Sequence, residues 1–220
     1  MHSLLYLFHT LGVTTLQKTF HPYAIFDHKR QAVGRILGVM SFVLGPVISS
    51  LILGLQPITG FKFLASFVIS SSVVYGTLHW IFDNFLWRYS LIGKTLSIPN
   101  YSGEWNVVGE TIGEEGEVKF NWEAMISINQ KWDAISIQLK TAQSESYSYT
   151  ANTLKLPDGR WQVSYSYSNK PNLNQIHELN AHNGFCELVF DLRNGTATGT
   201  YFNSHGRRTS GNMTLQRKRN

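Results

Sequence analysis

The chain of 220 residues has a single cysteine, Cys186, so no internal disulfide can form, in keeping with a reducing compartment. Acidic residues are almost missing from its first half. Residues 1–99 hold seven Lys/Arg but only Asp27 and Asp83, whereas residues 100–220 hold twelve of each sign. The whole formal charge of +5 therefore lies in the apolar half, where it flanks hydrophobic runs. That placement fits membrane orientation, not phosphate neutralisation, and argues against DNA or RNA as a partner. Catalytic signatures are also lacking: no Gly-rich phosphate loop, nucleophile elbow or paired-carboxylate constellation occurs. His177-Glu178-Leu179-Asn180-Ala181-His182 has one residue too many for the zinc-protease spacing, so no metal site and no enzyme is expected.

Charge is absent from Ile36 to Phe61 and again, after Lys62, from Phe63 to Phe82. A helix rises about 1.5 Å per residue, so roughly 20 residues cross a hydrocarbon core of about 30 Å. Both runs are long enough. Gln56-Pro57-Ile58-Thr59-Gly60 joins them with a helix breaker and a flexible residue, which predicts a hairpin of two transmembrane helices. A buried soluble hairpin would need a large apolar partner surface, which the alternating second half does not offer. Lys18, Lys29, Arg30 and Arg35 precede the first run, Arg88 and Lys94 follow the second, and Lys62 alone falls in the loop. The positive-inside rule then puts both termini in the cytoplasm, in a multi-pass protein with the lipid bilayer as a partner. Residues 3–13, SLLYLFHTLGV, lack the flanks of a signal peptide and read as a short helix lying on the membrane surface, with a disordered tail as the alternative. Small residues, among them Gly45, Ser49, Ser70 and Ser71, either pack the hairpin on itself or join several hairpins.

From Tyr101 onward the periodicity switches to two. Eight strands are expected, with inward faces beginning at Trp105-x-Val107, Phe120-x-Trp122, Ile135-x-Ile137, Tyr147-x-Tyr149, Trp161-x-Val163, Cys186-x-Leu188, Ala197-x-Gly199 and Met213-x-Leu215. Pro157-Asp158-Gly159, Asn183-Gly184 and Asn194-Gly195 are turn signals, and ETIGEEGE at 110–117 reads as a solvated loop. Short strands with one apolar face close most simply into an eight-stranded antiparallel up-and-down barrel, which leaves no exposed edge. Such a barrel is wide enough to fill its own interior or to hold one small ligand. Its expected lining is rich in Tyr147, Tyr149, Tyr165, Tyr167 and Tyr201, which either fill the core or stack on ring systems. The expected divisions are a 1–30 extension, a 31–95 two-helix anchor and a 98–220 cytoplasmic barrel.

Two stretches carry a resemblance: Pro99-x-Tyr101-x-Gly103-x-Trp105, where the chain leaves the helices, and Arg207-Arg208-Thr209-Ser210-Gly211 at the last strand. Together with the helix hairpin and eight strands, the layout from about Ile36 to the C-terminus resembles the two-transmembrane, β-strand-rich effectors of bacterial CBASS antiphage systems. Residues 1–30 fall outside it. The resemblance implies an inner-membrane protein whose barrel binds a cyclic dinucleotide made by a partner nucleotidyltransferase. It further implies a homo-oligomer on activation, membrane disruption and abortive infection, with no cofactor.

Such a ligand presents two bases and two phosphates. Tyr149, Tyr165, Tyr201 and Trp105 are the expected stacking surfaces, and Thr209, Ser210 and Asn203 the expected hydrogen-bonding groups. Arg208 is the favoured phosphate partner, with Arg207 or Arg160 as alternatives, because guanidinium suits bidentate contact. Strand alternation lets only one of Arg207 and Arg208 face inward: the phase of Met213 and Leu215 favours Arg207, whereas a bulge would favour Arg208. The competing functional reading is a membrane-tethered lipocalin-like carrier of an apolar small molecule, for which Gly103-x-Trp105 also speaks. A filled barrel serving only as a scaffold is the third.

Overall fold

The computed structural model describes residues 20–26, 28–53, 61–172, 174, 180–204 and 208–218, with the side chains of 52–53 and 61–69 left out. A short strand, β1 (His21–Ile25), precedes two 24-residue helices, α1 (Arg30–Leu53) and α2 (Phe61–Asn84). Their outward surfaces are apolar, with Ile36, Val39, Phe42, Val43 and Leu51 of α1 exposed. At Gly45 the two helices approach closely: a Cβ there would lie 2.8 Å from Ser71 Cα. Gly45 and Ser71 therefore pack this hairpin on itself, as small residues do where helices approach in lipid. Among the described residues, one segment, 30–51, is long and apolar enough to cross a membrane.

Past α2 the chain makes a 3₁₀ turn (Leu86–Arg88) and a six-residue helix, α3 (Ser90–Thr95). Eight strands follow: β2 (Gly103–Ile112), β3 (Val118–Gln130), β4 (Ala134–Lys140), β5 (Ser144–Lys155), β6 (Trp161–Pro171), β7 (His182–Asp191), β8 (Thr196–Ser204) and β9 (Ser210–Arg217). They pair in the order β1-β4-β3-β2-β9-β8-β7-β6-β5 and close as a barrel.

The expected eight strands thus become nine. β4 and β5 pair only from Gln138–Tyr147 to Lys140–Glu145. Beyond that they separate, and β1 fills the gap, antiparallel to β4 and parallel to β5. The separation begins beside a bulge at Tyr149, where the β5–β6 register shifts between Ser148 and Thr150. HPYAI is short and contains a proline, which is tolerated at a strand's start, so it carries little strand signal of its own. Its Tyr23 and Ile25 are buried. Residues 3–13, the expected surface helix, lie outside the described residues, as does the 56–60 loop. Lys62, expected in that loop, belongs to α2.

The expected turns at 157–159 and 194–195 are present, with Gly159 and Gly195 at φ of 86° and 66°. Asn183-Gly184, by contrast, lies inside β7. Gly184 stays bare because the ring of Tyr167 occupies the place of a Cβ. ETIGEEGE is a loop only from residue 113, since β2 runs to Ile112 and buries Thr111.

Ile126, Ile128, Ile135, Ile137, Val163, Leu188 and Phe190 fill the barrel's helix-proximal half. Full burial of each such side chain contributes roughly 1.5–3 kcal/mol. Trp105 and Tyr101 close that end, their rings 5.0 and 4.9 Å from the Phe190 ring. Arg217 caps it, its guanidinium 5.2 Å over the Trp105 ring while Nη2 donates to the Ser102 carbonyl. The arginine partnering the Gly-x-Trp start is therefore Arg217.

Barrel and helices are bonded together at this end. Gln130 Nε2 donates to the Pro99 carbonyl and the Tyr23 hydroxyl, both at 2.9 Å. Trp132 N–H donates to the Asp83 carbonyl at 3.1 Å, and Arg88 Nη2 to the Gln130 carbonyl at 2.7 Å.

A cavity at the barrel's open end

Inward phase decides which side chains can meet inside the barrel, and β5 departs from expectation there. In SESYSYTANTL serine and tyrosine alternate, so hydrophobicity predicts the tyrosines inward. The structure buries Ser144, Ser146 and Ser148 instead. Tyr149, on the bulge, is 50% exposed, and Tyr147 turns outward to donate to Glu145 Oε2 at 2.6 Å. The cause is volume: Tyr167 of β6 stands across from Ser148, and the rings of Tyr165 and Tyr167 share one cavity with Ser144 and Ser146, where small side chains leave them room.

The space left by the serines is a cavity of about 310 Å³ at the end away from the helices. Aromatic rings form much of its wall. Trp122 lies over Gly109, where a Cβ would collide with the indole, and its ring centroid is 5.6 Å from that of Tyr201. Tyr165 and Tyr167 stand 6.0 Å apart. Phe120, 45% exposed, also lines the cavity from the end of β3.

Polar atoms are joined in neutral chains across the rim. Tyr201 OH and Thr111 Oγ1 are 2.8 Å apart, and Trp122 Nε1 donates to the same hydroxyl at 3.3 Å. Tyr167 OH donates to Asn203 Oδ1 at 2.7 Å, and Asn203 Nδ2 donates to Thr209 Oγ1 at 2.7 Å. Asn169 Nδ2 donates to Ser144 Oγ at 3.1 Å. His182 Nδ1 lies 3.0 Å from the Asn180 carbonyl and donates to it.

Burial raises the Tyr165 hydroxyl well above its ordinary value of 10.0, and the neighbouring Cys186 adds to the rise. It stays protonated. Cys186 itself is pushed up to about 12, also by burial. Together the lining offers flat faces for stacking and hydroxyl, amide, imidazole and, at Glu123, carboxylate groups for hydrogen bonding, in a site open at its mouth.

Of the expected site residues, Tyr165, Tyr201, Asn203 and Thr209 meet in this cavity. Tyr149 does not, because of the bulge. Trp105 is fully buried at the opposite end, beneath Arg217. Arg208 is exposed and does not line the cavity: β9 keeps its register with Gly211, Met213 and Leu215 inward, which turns position 208 out. Arg207 lies outside the described residues, Arg160 binds Asp158 on the surface at 2.7 Å, and Ser210 faces outward. Sequence reasoning missed Ser144, Ser146, Asn169, Thr111 and His182. A Ser-x-Ser-x-Ser run facing a Tyr-x-Tyr strand was the available signal for the serines.

Residues 96–217 match the protein family described as Cap15, cyclic dinucleotide receptor domain. Residues 31–88 match the family described as Cap15, TM helices. Among curated proteins, CD-NTase-associated protein 15 of Yersinia aleksiciae is 41% identical over 150 residues, 68% of this chain and 70% of that protein.

Proposed function

Since this chain belongs to the Cap15 family, a membrane-anchored CBASS effector with a cyclic dinucleotide receptor domain, we propose that its cavity at the open end of the barrel is the receptor site. The observation that carries this is the coincidence of the receptor-domain match with a cavity whose wall pairs aromatic faces with hydroxyls and amides. Trp122, Tyr165, Tyr167 and Tyr201 stack on the bases, while Asn203, Thr209, Ser144 and Ser146 bond sugar and phosphate oxygens. Small-ligand pockets run from roughly 300 to 1,000 Å³, which puts 310 Å³ at the low end. One nucleotide of the pair therefore enters while the other sits at the mouth. The hydroxyls and amides among the rings favour a ligand with hydrogen-bonding groups over the wholly apolar cargo of a carrier.

The remaining steps belong to the same proposal. Both α1 and α2 cross the inner membrane, with the termini and the barrel in the cytoplasm, where a partner nucleotidyltransferase releases the ligand. Occupancy of the barrel drives several copies to assemble through their helices, the membrane fails, and the infected cell dies. Catalysis has no part in it, and no cofactor is needed.

Isothermal titration of the full chain in nanodiscs against a panel of cyclic dinucleotides, with fatty acids as control, tests the receptor step. Saturable binding of a cyclic dinucleotide is expected. Binding of fatty acids alone would replace the receptor reading with the carrier.

A further inference from the structure

The end of α2 presents an apolar surface that none of the described residues covers. Trp80, on the last turn of α2, and Phe85, just past its end, are exposed and meet edge to face with centroids 5.5 Å apart. Tyr89 and Leu91 continue the row onto α3, and Leu91 is 81% exposed. The opposite side of the same segment is packed: Phe82, Trp87, Gly93 and Ile98 are buried against the barrel base. This short stretch is thus two-faced, with one side gripping the barrel and the other bare. Phe26, in the segment leading into α1, is exposed as well. Lys29 and Arg35 at the start of α1 and Lys94 in α3 are exposed basic residues of the same membrane-proximal segments.

We propose that the segment from Trp80 to Leu91 is a footing on the bilayer surface, its apolar row bedded among headgroups and Lys29, Arg35 and Lys94 facing anionic lipid. Continuity favours lipid as the occupant, because the row begins within the stretch matched as TM helices and continues past Phe85 to Tyr89 and Leu91 of the next helix. Chemistry favours it too. Trp and Tyr collect where membrane meets water, and basic side chains at that depth are drawn to anionic headgroups. α3, too short to anchor anything alone, then holds the barrel base at a fixed height above the membrane. Ligand-driven assembly would act through a receptor that cannot swing freely. The inference rests on α1 and α2 lying in the bilayer, and its test reads that separately.

Single-cysteine variants of the full chain are labelled with bimane in nanodiscs of phosphatidylethanolamine and phosphatidylglycerol. The native Cys186 is buried and stays silent. Leu91→Cys reports the footing, Val43→Cys the middle of α1, and Asn212→Cys the outer barrel wall. The footing requires the Leu91→Cys label to lose quenching by aqueous iodide, relative to Asn212→Cys, and to gain quenching by headgroup-spin-labelled lipid. Iodide quenching equal to that at Asn212→Cys overturns it. Protection from both quenchers overturns it as well, since a second copy of the chain would then be the cover. A Val43→Cys label that lipid-borne quenchers do not reach would bring down the spanning reading and the footing together. Replacing phosphatidylglycerol by phosphatidylcholine should weaken lipid quenching at Leu91→Cys; an unchanged signal overturns the anionic preference.

Discussion

Gln130 Oε1 accepts the backbone N–H of Tyr101 at 2.9 Å, inside a barrel base where both residues are almost fully buried. The amide's other half holds Pro99 and Tyr23, so one side chain ties together β3, the start of the barrel and the N-terminal strand. Leaving a buried polar group unpaired costs about 1–3 kcal/mol. Gln130→Leu strands the Tyr101 N–H and the Pro99 carbonyl, and leaves the Tyr23 hydroxyl only the Lys131 carbonyl. We expect a loss of about 3 kcal/mol, read as a lower midpoint in urea unfolding of the full chain. A midpoint equal to that of the parent would mean water or a shifted backbone replaces the amide.

In the cavity, Asn203 joins Tyr167 to Thr209, so Asn203→Ala unfastens both and removes a ligand partner. Cyclic dinucleotide affinity should fall about tenfold, the equivalent of 1.4 kcal/mol. Ser146→Leu, which fills the cavity from β5, should abolish binding while thermal unfolding stays near the parent's. Arg208→Ala should leave affinity within about twofold, because an exposed cation outside the cavity contributes little. Calorimetry on the three variants decides among them, and a large loss in Arg208→Ala would return phosphate binding to that residue.

His28 connects the base of the anchor to the barrel. Its Nδ1 lies 3.0 Å from the Leu96 carbonyl, and Trp132 Nε1 donates to its Nε2 at 2.9 Å. An accepting Nε2 requires a neutral ring. Burial, helped by the charge of Arg30, lowers its pKa from the ordinary 6.5. The folded state therefore resists a proton that the unfolded state takes up. Stability from this histidine is complete above about pH 6.5 and is lost as pH falls from there toward the lowered folded value. His28→Gln should flatten the acid limb of the stability profile below about pH 6.5. Thermal melts of both proteins across that range give the comparison, and parallel profiles would assign the acid sensitivity elsewhere.

Cys186 offers a simple probe of barrel integrity. It is fully buried beneath Tyr165, and burial has pushed its thiol up to about 12. A thiolate is the reacting form, so the native chain should not react with an aromatic disulfide reagent at neutral pH. Full reaction is expected only on unfolding. Fast labelling of native protein would show that the barrel opens.

The ninth strand alters how the receptor half should be handled. A fragment of residues 98–220 lacks β1, leaving the gap between β4 and β5 unfilled and Gln130 without Tyr23. It should unfold at lower urea than the barrel of the full chain and bind more of a hydrophobic dye. Equal stability would show that β4 and β5 can close by themselves.

Much of this protein is written in its local pattern. Uncharged runs long enough to cross a bilayer, alternation in the second half and the turn at Asp158-Gly159 each act over a few residues, so the sequence alone determined the helices, most strands and the barrel they close. Tyr165, Tyr201, Asn203 and Thr209 were legible as inward positions for the same reason. What it left open depended on distant residues. Whether the serines or the tyrosines of β5 face inward turns on the volume already taken by Tyr165 and Tyr167. Which arginine caps Trp105 depends on where β9 ends beside β2, and Arg217 holds that place. HPYAI became a strand only because the Tyr149 bulge parted β4 from β5 and left backbone groups to pair. Tertiary structure alone decided these points, because each is a competition for space or hydrogen bonds between segments far apart in the chain.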